Sequence, residues 1–530
     1  MALFAGAGSM RAQATPQQSR YLTHDWTVPV GGENGDFQEW GADVKTPGDG
    51  FTYSALTITV RDTANLPMFS GANVAPPPNP PGVFTLFAPN QRQVGLLQIT
   101  DAAQAIVNPA GGGAPGQFYF YGLTGNDQTR ATNLRGISVW PAAAVADTRI
   151  AICGETYDQN IPLSQVQNGW ANNSATNSSG FIAVFDGAGT LLYSQQFFGA
   201  NAMGSCAITD ISMRIVYDAA GAPVDDVITY CGISSFGNPT ANDELATSRE
   251  FAAPGGAAGC SAPASGVTDN GAGQWDGIVG RLTHPHINAP GVGTTTTVFH
   301  SIVGGVQQDG LFGIAEIDAD RFVVVGSTGT SGVVGVGGAS FPLTTGVCLD
   351  AAVGQYALGV RMVFNVPAAG SLVLESSQHF GSLVPLAGTE ELIPANHFTV
   401  ARDVLVQPGY TAGRGQVIVV GSTDDPDMLN GLPSAPTSHG PQTAINGTGV
   451  GGATDGFIVS AYDAPGSLLE LASTFRGGAG DDGLTGINGW NEFADHFAVT
   501  GRTAAAAGDI DVATYFQDIT SQYGIGAPFT

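Results

Sequence analysis

Short apolar runs that end in a small residue and then Thr or Ser recur along the chain. They stand 78 to 99 residues apart, as the numbers of their small residues show. β-branched and aromatic residues at alternating positions favour strands over helices. The six copies of this first phrase are FTYSALT with Ala55, IAICGET with Gly154, ITYCGIS with Gly232, VVVGST with Gly326, VIVVGST with Gly421 and FAVTGRT with Gly501.

Two further apolar phrases follow most copies, and one more strand precedes each copy. The second phrase is an alternating strand: GVFTLFAP (82–89), GFIAVFD (180–186), DGIVGRL (276–282), GVRMVFN (359–365), DGFIVSAYD (455–463) and DIDVATYF (509–516). The third phrase runs into Gly: LLYSQQFFG (191–199), TVFHSIVGG (297–305), VLESSQHFG (373–381) and LELASTFRGG (469–478). The repeating unit is therefore a meander of four short strands.

A four-stranded unit repeated about six times predicts a single all-β domain, a six-bladed β-propeller over residues 15–516, with seven blades as the alternative. A solenoid is also conceivable, but it needs atypical capping repeats at both ends. The last unit stops after its third strand, near Phe516, and RYLTHDWTVPVGG (20–32) matches the missing fourth strand. We therefore expect the N-terminal strand to complete the last blade and close the ring, which removes an exposed sheet edge. The predicted core comprises alternating apolar residues such as Val323, Val325, Ile418, Val420, Phe457 and Val459.

The phrases FRGGAGDDG, DGFIVSAYD, VVVGST and FAVTGRT resemble the bacterial SBBP-type β-propeller repeat. In that family a Gly-Gly-x-Gly-x-Asp turn precedes a strand ending in Thr-Gly-x-Thr, followed by Asp-Ala-Phe-Val-like and Tyr-Ser-Thr-x-x-Gly-Gly-like strands. The resemblance extends over most of residues 20–516, although the units that start near Gly199 and Gly381 lack the Gly-x-Asp turn. It implies a propeller on an exported bacterial protein, and it implies no particular activity.

Charge and composition narrow the possible partners. The 530-residue chain has a formal net charge of -27, a single lysine (Lys45) and no basic stripe, so we expect no nucleic-acid partner. No segment has 18 uninterrupted apolar residues, so we predict no membrane span. Residues 1–14, with Ala12-Gln13-Ala14, are typical of a signal-peptide remnant or else a disordered tail. We predict an extracellular, cell-surface or periplasmic location, and residues 517–530 as a C-terminal tail.

Acidic turns are the candidate metal sites, with calcium as the candidate cation. Asp36, Asp127, Asp309 and Asp482 occupy equivalent Gly-x-Asp turns, and capping of the turn is the favoured interpretation because the Asp repeats with the fold. The sharper candidate is STDDPDMLN, where Asp424, Asp425 and Asp427 lie in one loop and a cation would relieve their repulsion, although a solvated acidic loop is the favoured interpretation. Asp481 with Asp482 is the other candidate calcium position.

Cysteines and histidines give weaker signals. Cys153 and Cys231 lie in apolar runs and are interpreted as small buried hydrophobes, whereas Cys260 and Cys348 lie in Gly/Ala-rich loops and are the disulfide candidates. His284 and His286 in THPHIN are spaced to chelate a metal from one strand face, but the intervening Pro and the lack of a third ligand argue against a site.

Long Asn/Ser/Thr/Gly/Pro-rich segments follow the first phrase in five units, at 62–82, 156–179, 233–275, 327–358 and 424–455. They are expected on one face of the ring, where propellers place binding surfaces. Tyr157, Trp170 and Trp275 lie in or beside them and are candidates for contacts with a sugar or a protein.

The sequence contains no Gly-x-Ser-x-Gly, HExxH or P-loop motif. It therefore favours a non-enzymatic binding or structural module at the cell surface, with a protein or polysaccharide partner or with self-association. The alternative is an extracellular carbohydrate-active enzyme with its site at the propeller mouth, which requires two or more carboxylates with raised pKa values around a pocket.

Overall fold

The protein is an all-β single β-propeller in a computed structural model. The structure describes residues 40–45, 47–60, 92–101, 107–109, 116–120, 132–157, 161–165, 178–197, 205–235, 275–304, 308–329, 358–367, 372–381, 383–385, 392–394, 397–408, 415–426, 428, 438–439, 454–464, 467–476, 482–489 and 497–503. Within these ranges there is no helix long and apolar enough to cross a membrane.

Each blade has four main strands that pair antiparallel in sequence order, and blades 2 and 5 carry one short additional strand at the outer edge. Blade 1 comprises β1 (Trp40–Lys45), β2 (Phe51–Val60), β3 (Arg92–Asp101) and β4 (Gln117–Phe120). Blade 2 comprises β5 (Thr132–Trp140), β6 (Arg149–Thr156), β7 (Ser164–Gln165), β8 (Ser179–Asp186) and β9 (Leu191–Phe197). Blade 3 comprises β10 (Cys206–Tyr217), β11 (Pro223–Ser234), β12 (Asp276–Pro285) and β13 (Thr296–Val303). A short 3₁₀ turn, Val145–Asp147, precedes β6.

The remaining sheets follow the same plan. Blade 4 comprises β14 (Asp309–Glu316), β15 (Arg321–Thr328), β16 (Leu358–Asn365) and β17 (Val373–Phe380). After a small hairpin of β18 (Leu383–Pro385) and β19 (Leu392–Pro394), blade 5 comprises β20 (Thr399–Pro408), β21 (Gly415–Thr423), β22 (Ser438–His439), β23 (Asp455–Ala464) and β24 (Ser467–Arg476). A two-stranded C-terminal sheet contains β25 (Asp482–Gly489) and β26 (Phe497–Thr503).

The four-strand meander is confirmed, but the expected six or seven complete blades are not observed. The described residues form five blades and the two-stranded C-terminal sheet. The second-phrase assignment in blade 1 was also wrong, because the strand that pairs along the whole of β2 is Arg92–Asp101 and not residues 82–89. The predicted closing strand at 20–32 and the phrase at 509–516 lie outside the described residues, as do the tails 1–14 and 517–530.

The hydrophobic core lies between neighbouring blades. Within β15, Phe322 and Val324 pack with blade 3 residues, while Val323 and Val325 pack with blade 5 residues. All six predicted core residues are fully buried. Successive residues of β15 therefore point to opposite faces of blade 4, and both faces are buried against a neighbouring blade.

The recurring first phrase has a local explanation. A Cβ atom added at the phrase-one glycine would come 1.9 Å from the carbonyl oxygen of Asn133 in blade 2 and 1.9 Å from that of Gly310 in blade 4. The Thr that follows faces the first residue of the inner strand, and Thr156 contacts Thr132 through their hydroxyls at 2.9 Å. Glycine thus permits the close approach of the two inner strands.

The strand order gives the ring two distinct faces. The loop face carries the connections from the second to the third main strand, and the turn face carries the tighter connections from the first to the second and from the third to the fourth. All five predicted long segments are rooted on the loop face, because they leave the same strand in each blade. In blades 2 and 5 the segment returns as β7 or β22 and pairs in parallel with the outermost strand, covering that edge.

Candidate functional site

The inner strands carry an irregularity at one shared position. Each has a β-bulge opposite the first phrase, which leaves one residue unpaired and redirects the next towards the centre of the ring. The residue that resumes pairing after the bulge alternates between Asp and Gly in sequence order: Asp43, Gly136, Asp210, Gly313, Asp403 and Gly486.

Each of the three aspartates bridges two sheets through backbone N–H groups. Oδ1 of Asp210 accepts from the following residue, Ile211, at 2.8 Å, and Oδ2 accepts from Ile314 in blade 4 at 2.8 Å. The same pair of bonds joins Asp43 to the N–H groups of Val44 (2.7 Å) and Ile137 (3.2 Å), and Asp403 to those of Val404 (2.7 Å) and Ile487 (2.8 Å). Hydrogen bonds to a charged acceptor are among the stronger ones in proteins, so these carboxylates fasten neighbouring sheets together.

The intervening glycines provide the space for this arrangement. A Cβ atom added at Gly136 would lie 3.1 Å from Cα of Asp210, and one added at Gly313 would lie 2.7 Å from Cα of Asp403. A side chain at Gly313 would require the inner strand of the next blade to shift, and one at Gly136 would require its neighbour to move by a few tenths of an ångström. The alternation of Asp and Gly is therefore a packing requirement at the axis.

Lys45, the single lysine of the chain, lies among these carboxylates. Its Nζ is 3.1 Å from Oδ2 of Asp43, with 24% of the lysine side chain and 13% of the aspartate side chain exposed. Burial acts to lower the pKa of Lys45, but the charges of Asp43, Asp403 and Asp210 outweigh it and raise that pKa. We name Asp43, Lys45, Asp210 and Asp403 the axial cluster.

Two carboxyl groups of the axial cluster hold their protons more tightly than usual. Burial, followed by repulsion from Asp403, raises the pKa of Asp210, while Lys45 opposes the shift. Burial also raises the pKa of Asp403 to about 6, again opposed by Lys45. One ammonium group cannot neutralise three carboxylates, so a buried excess of negative charge remains and favours proton uptake.

The predicted calcium loop is occupied by structural contacts where it is described. Asp424 Oδ1 accepts the Phe398 N–H at 2.5 Å and lies 3.4 Å from Nδ1 of His397. Asp425 is buried, and its own N–H donates to the Thr423 hydroxyl at 3.0 Å. Asp427 lies outside the described residues. Among the residues that the structure describes, no group of three or more His, Cys, Asp or Glu side chains is arranged to hold a metal ion.

Two of the remaining acidic-turn residues, Asp309 and Asp482, lie within the described ranges. Asp309 is fully buried and accepts a hydrogen bond from the hydroxyl of Thr328, its partner on the facing strand. Capping of its own turn through backbone N–H groups stays a prediction. Asp482 begins β25 opposite Thr503, in the register that Asp309 has in blade 4. Asp36, Asp127 and Asp481 lie outside the described ranges. Calcium binding at Asp481 and Asp482 stays a prediction.

The aromatic loop candidates are only partly described. Tyr157 follows β6 and is half-buried, and burial, followed by the charge of Glu155, raises its pKa. Trp275 precedes β12, is half-buried, and its carbonyl oxygen accepts the Asp309 N–H at 2.7 Å. Trp170 lies outside the described residues. The two described aromatics stand at the roots of loop-face segments, in blades 2 and 3.

The cysteine interpretation is confirmed for the residues that the structure describes. Cys153 and Cys231 are fully buried thiols, and burial raises the pKa of both. The disulfide candidates Cys260 and Cys348 lie outside the described ranges.

His284 and His286 take part in buried contacts between blades 2 and 3. His284 stacks on Tyr193 with ring centroids 3.7 Å apart. Asp226 accepts from Nε of Arg149 at 3.1 Å, from the Tyr193 hydroxyl at 3.2 Å and from Nδ1 of His286 at 2.7 Å. Because Nη2 of Arg149 can only donate to Nε2 of His286, at 3.0 Å, that imidazole carries its proton on Nδ1.

Sequence reasoning missed the axial cluster, although a signal for it was present. The inner strands read GADVK, LRGIS, ITDIS, LFGIA, ARDVL and LTGIN, so Asp and Gly alternate, and each is followed by Val or Ile. The Arg149–Asp226 network left no comparable signal, because its members are 77 residues apart in the chain.

No family model and no curated protein matches this chain. The resemblance to the SBBP-type repeat is therefore neither supported nor contradicted by relatives.

Proposed function

We propose that this protein is a non-enzymatic extracellular or cell-surface β-propeller that acts as a binding or structural module through the long segments of its loop face. The observation that carries the proposal is the common root of those segments. In all five blades the long connection leaves the second main strand, so a rigid ring presents five variable segments on one side. Its ligand is a protein or a polysaccharide at the cell surface.

The axial cluster supports a structural role for the ring. Both oxygens of Asp43, Asp210 and Asp403 accept backbone N–H bonds from two sheets, and Lys45 neutralises part of their charge. Carboxylates held in this way stabilise the packing of neighbouring sheets. All of these bonding groups lie in the inner strands and none lies in a long segment.

We further propose six blades, with the C-terminal sheet as the inner half of the sixth. Three observations support this count. β25 contacts both β20 and β1. Its bulge residue, Gly486, continues the Asp–Gly alternation. Ile487 receives the bond from Asp403 that Ile137 and Ile314 receive from the preceding aspartates. The outer half would come from 509–516 and the N-terminal segment 20–32.

One observation favours the alternative, a carbohydrate-active enzyme. Two carboxyl groups with raised pKa values, Asp210 and Asp403, lie close enough at the axis to perturb each other. Paired carboxyl groups with separated pKa values are the requirement of glycoside hydrolysis. Their bonds to the backbone argue for the structural role, and the experiment below separates the two functions.

The test uses the purified full chain and the surface polysaccharides and surface proteins of the producing cell as separate probes. Residues 236–274, in blade 3, are replaced by a short Gly/Ser linker, and the control carries a Gly-Ser-Gly insertion within residues 368–371 on the turn face. Retention of one probe by the native chain and the control, with loss in the loop replacement, supports the proposal. If replacement of each of the five long segments leaves retention of the probe unchanged, the proposal is contradicted.

The enzyme arm measures new reducing ends after incubation with the polysaccharide. The enzyme is the correct function if the native chain releases reducing ends and both D210N and D403N abolish that release. Both variants must keep the circular dichroism spectrum of the native chain.

A further inference from the structure

We infer that the turn face of blade 3 is a second interaction surface, which takes an arginine- or lysine-bearing segment of a partner protein with an apolar anchor. The inference goes beyond the proposed function, because it concerns the opposite side of the ring from the long segments. It starts from the distribution of exposed apolar side chains.

Among the described residues, the large hydrophobic side chains that are exposed all lie on this one surface. They are Tyr217 (46% exposed) at the end of β10, Val224 (40%) in β11, and Val292 (46%) in the connection from β12 to β13. The four-stranded sheet of blade 3 brings these chain segments to the same end. Scattered exposed hydrophobics need no explanation, but several on one surface mark an interaction site.

The backbone holds these side chains outward. Val216 pairs with Asp225 and Tyr217 pairs with Pro223, so Val224 is the extra residue of a β-bulge. The turn between the strands is fixed by Asp218, whose Oδ1 accepts N–H bonds from Ala220 at 2.9 Å and Ala222 at 2.8 Å. The connection that carries Val292 is held by His284, whose Nε2 lies 3.1 Å from the Val292 carbonyl oxygen. The surface is therefore preformed.

An aromatic pair extends the surface towards blade 2. Nε1 of Trp140, at the end of β5, donates to the Tyr217 hydroxyl at 3.3 Å. Trp140 is half-buried, so part of its ring remains accessible beside the exposed Tyr217. Trp and Tyr rings attract guanidinium and ammonium groups, and they recur at the centres of protein interfaces.

Carboxylates surround this apolar strip. Asp218 and Asp225 stand on its own turn, and Asp147, 40% exposed, is tied to Asn288 of the Val292 connection at 2.6 Å. Asp318, 51% exposed, and Asp320 lie on the neighbouring turn of blade 4.

Two partly exposed arginines lie near this rim, and both already contact carboxylates. Nη1 of Arg321, which is 22% exposed, lies 3.8 Å from Asp318, and its Nε lies 2.9 Å from Glu375. Arg214 is 22% exposed, and its Nε lies 3.2 Å from Glu316 while Nη2 donates to the Ala319 carbonyl at 3.1 Å. An apolar strip with an acidic rim complements a cationic partner, and it opposes a second copy of a chain whose net charge is -27.

The test measures fluorescence anisotropy of the full-length chain with short labelled peptides. A peptide that alternates arginine and leucine is the probe, and peptides that alternate arginine with serine or glutamate with leucine are its controls. The double variant Tyr217→Ser, Val292→Ser removes the apolar strip, and Asp218→Asn, Asp225→Asn removes charge while preserving the acceptor at 218. Pro426→Ser, an exposed apolar residue of blade 5, is the matched control.

We expect the arginine–leucine peptide to bind most tightly and added salt to weaken it. The serine double variant should raise its Kd at least about tenfold, the asparagine double variant should flatten its salt dependence, and Pro426→Ser should leave it unchanged. Equal binding of the arginine–serine peptide, no binding, or equal losses in the serine variant and Pro426→Ser would overturn the inference. A dimer in sedimentation velocity that the serine double variant dissolves would also overturn it, in favour of self-association.

Discussion

Replacement of Lys45 by Met provides the most direct test of the axial cluster. The variant keeps most of the aliphatic stem but removes the ammonium group, which lies 3.1 Å from Asp43. The negative charges of three carboxylates raise the pKa of that ammonium group in the native protein. The lysine is 24% exposed and Asp43 is 13% exposed, so solvent screens the pair only partly. Removing one partner of a buried ion pair costs about 3–5 kcal/mol, and partial exposure places the expected loss near the lower end, about 3 kcal/mol at pH 7.

The loss should depend on pH in a defined direction. In the variant the carboxylates repel one another without a counter-ion, and protonation relieves that repulsion. Burial already raises the pKa of Asp403 to about 6, so this carboxyl group takes up its proton between pH 7 and pH 5, and burial raises the pKa of Asp210 in the same direction. A group whose folded-state pKa is raised favours the folded state below that pKa, and the advantage fades as the pH rises through it. The difference between native and variant should therefore shrink from pH 7 to pH 5.

The assay is urea unfolding of both proteins at pH 7 and pH 5, followed by fluorescence. Arg135→Met is the matched control, because Arg135 forms an ion pair of 2.7 Å with Glu155 but is 44% exposed, so its loss should cost less than about 1 kcal/mol. A Lys45→Met midpoint equal to that of the control, or a deficit that grows on acidification, would refute the assigned role of Lys45.

Three further predictions concern the framework. Burial lowers the pKa values of His300 and His379 to about 4. Each histidine therefore contributes about 3 kcal/mol of stability above pH 6.5, and this contribution is lost as the pH falls towards 4. His379→Phe should reduce the loss of stability at acid pH, and an unchanged loss would contradict this. Gly313→Ala should lower stability by about 1–3 kcal/mol because its Cβ would lie 2.7 Å from Cα of Asp403, whereas Gly489→Ala, with 3.4 Å as its shortest contact, is the control; equal melting temperatures would count against the packing argument. Arg149→Met should lower the free energy of unfolding in urea by about 3–5 kcal/mol, because it removes the positive charge that pairs with Asp226, which is 1% exposed. A loss no larger than that of Arg135→Met would show that the network contributes little to stability.

The amino-acid sequence determined the repeating unit. Apolar alternation, Gly at Gly154, Gly232, Gly326 and Gly421, and turn residues between strands are local properties, so they predicted the four-strand meander and the fully buried core residues. It also predicted the single propeller and the common root of the long segments, because the position of a loop within a repeated unit fixes the face from which it leaves.

The tertiary structure alone decided what the polar residues do. Asp43, Asp210 and Asp403 are separated by well over a hundred residues along the chain, and only the curvature of the ring brings Asp210 and Asp403 to Asp43 and Lys45. His284 and His286 look like a chelating pair in the sequence, yet packing of blade 2 against blade 3 gives one to Tyr193 and the other to Asp226 and Arg149. Local patterns specify strands because strand formation depends on neighbours in sequence, whereas burial, ion pairing and pKa depend on neighbours in space.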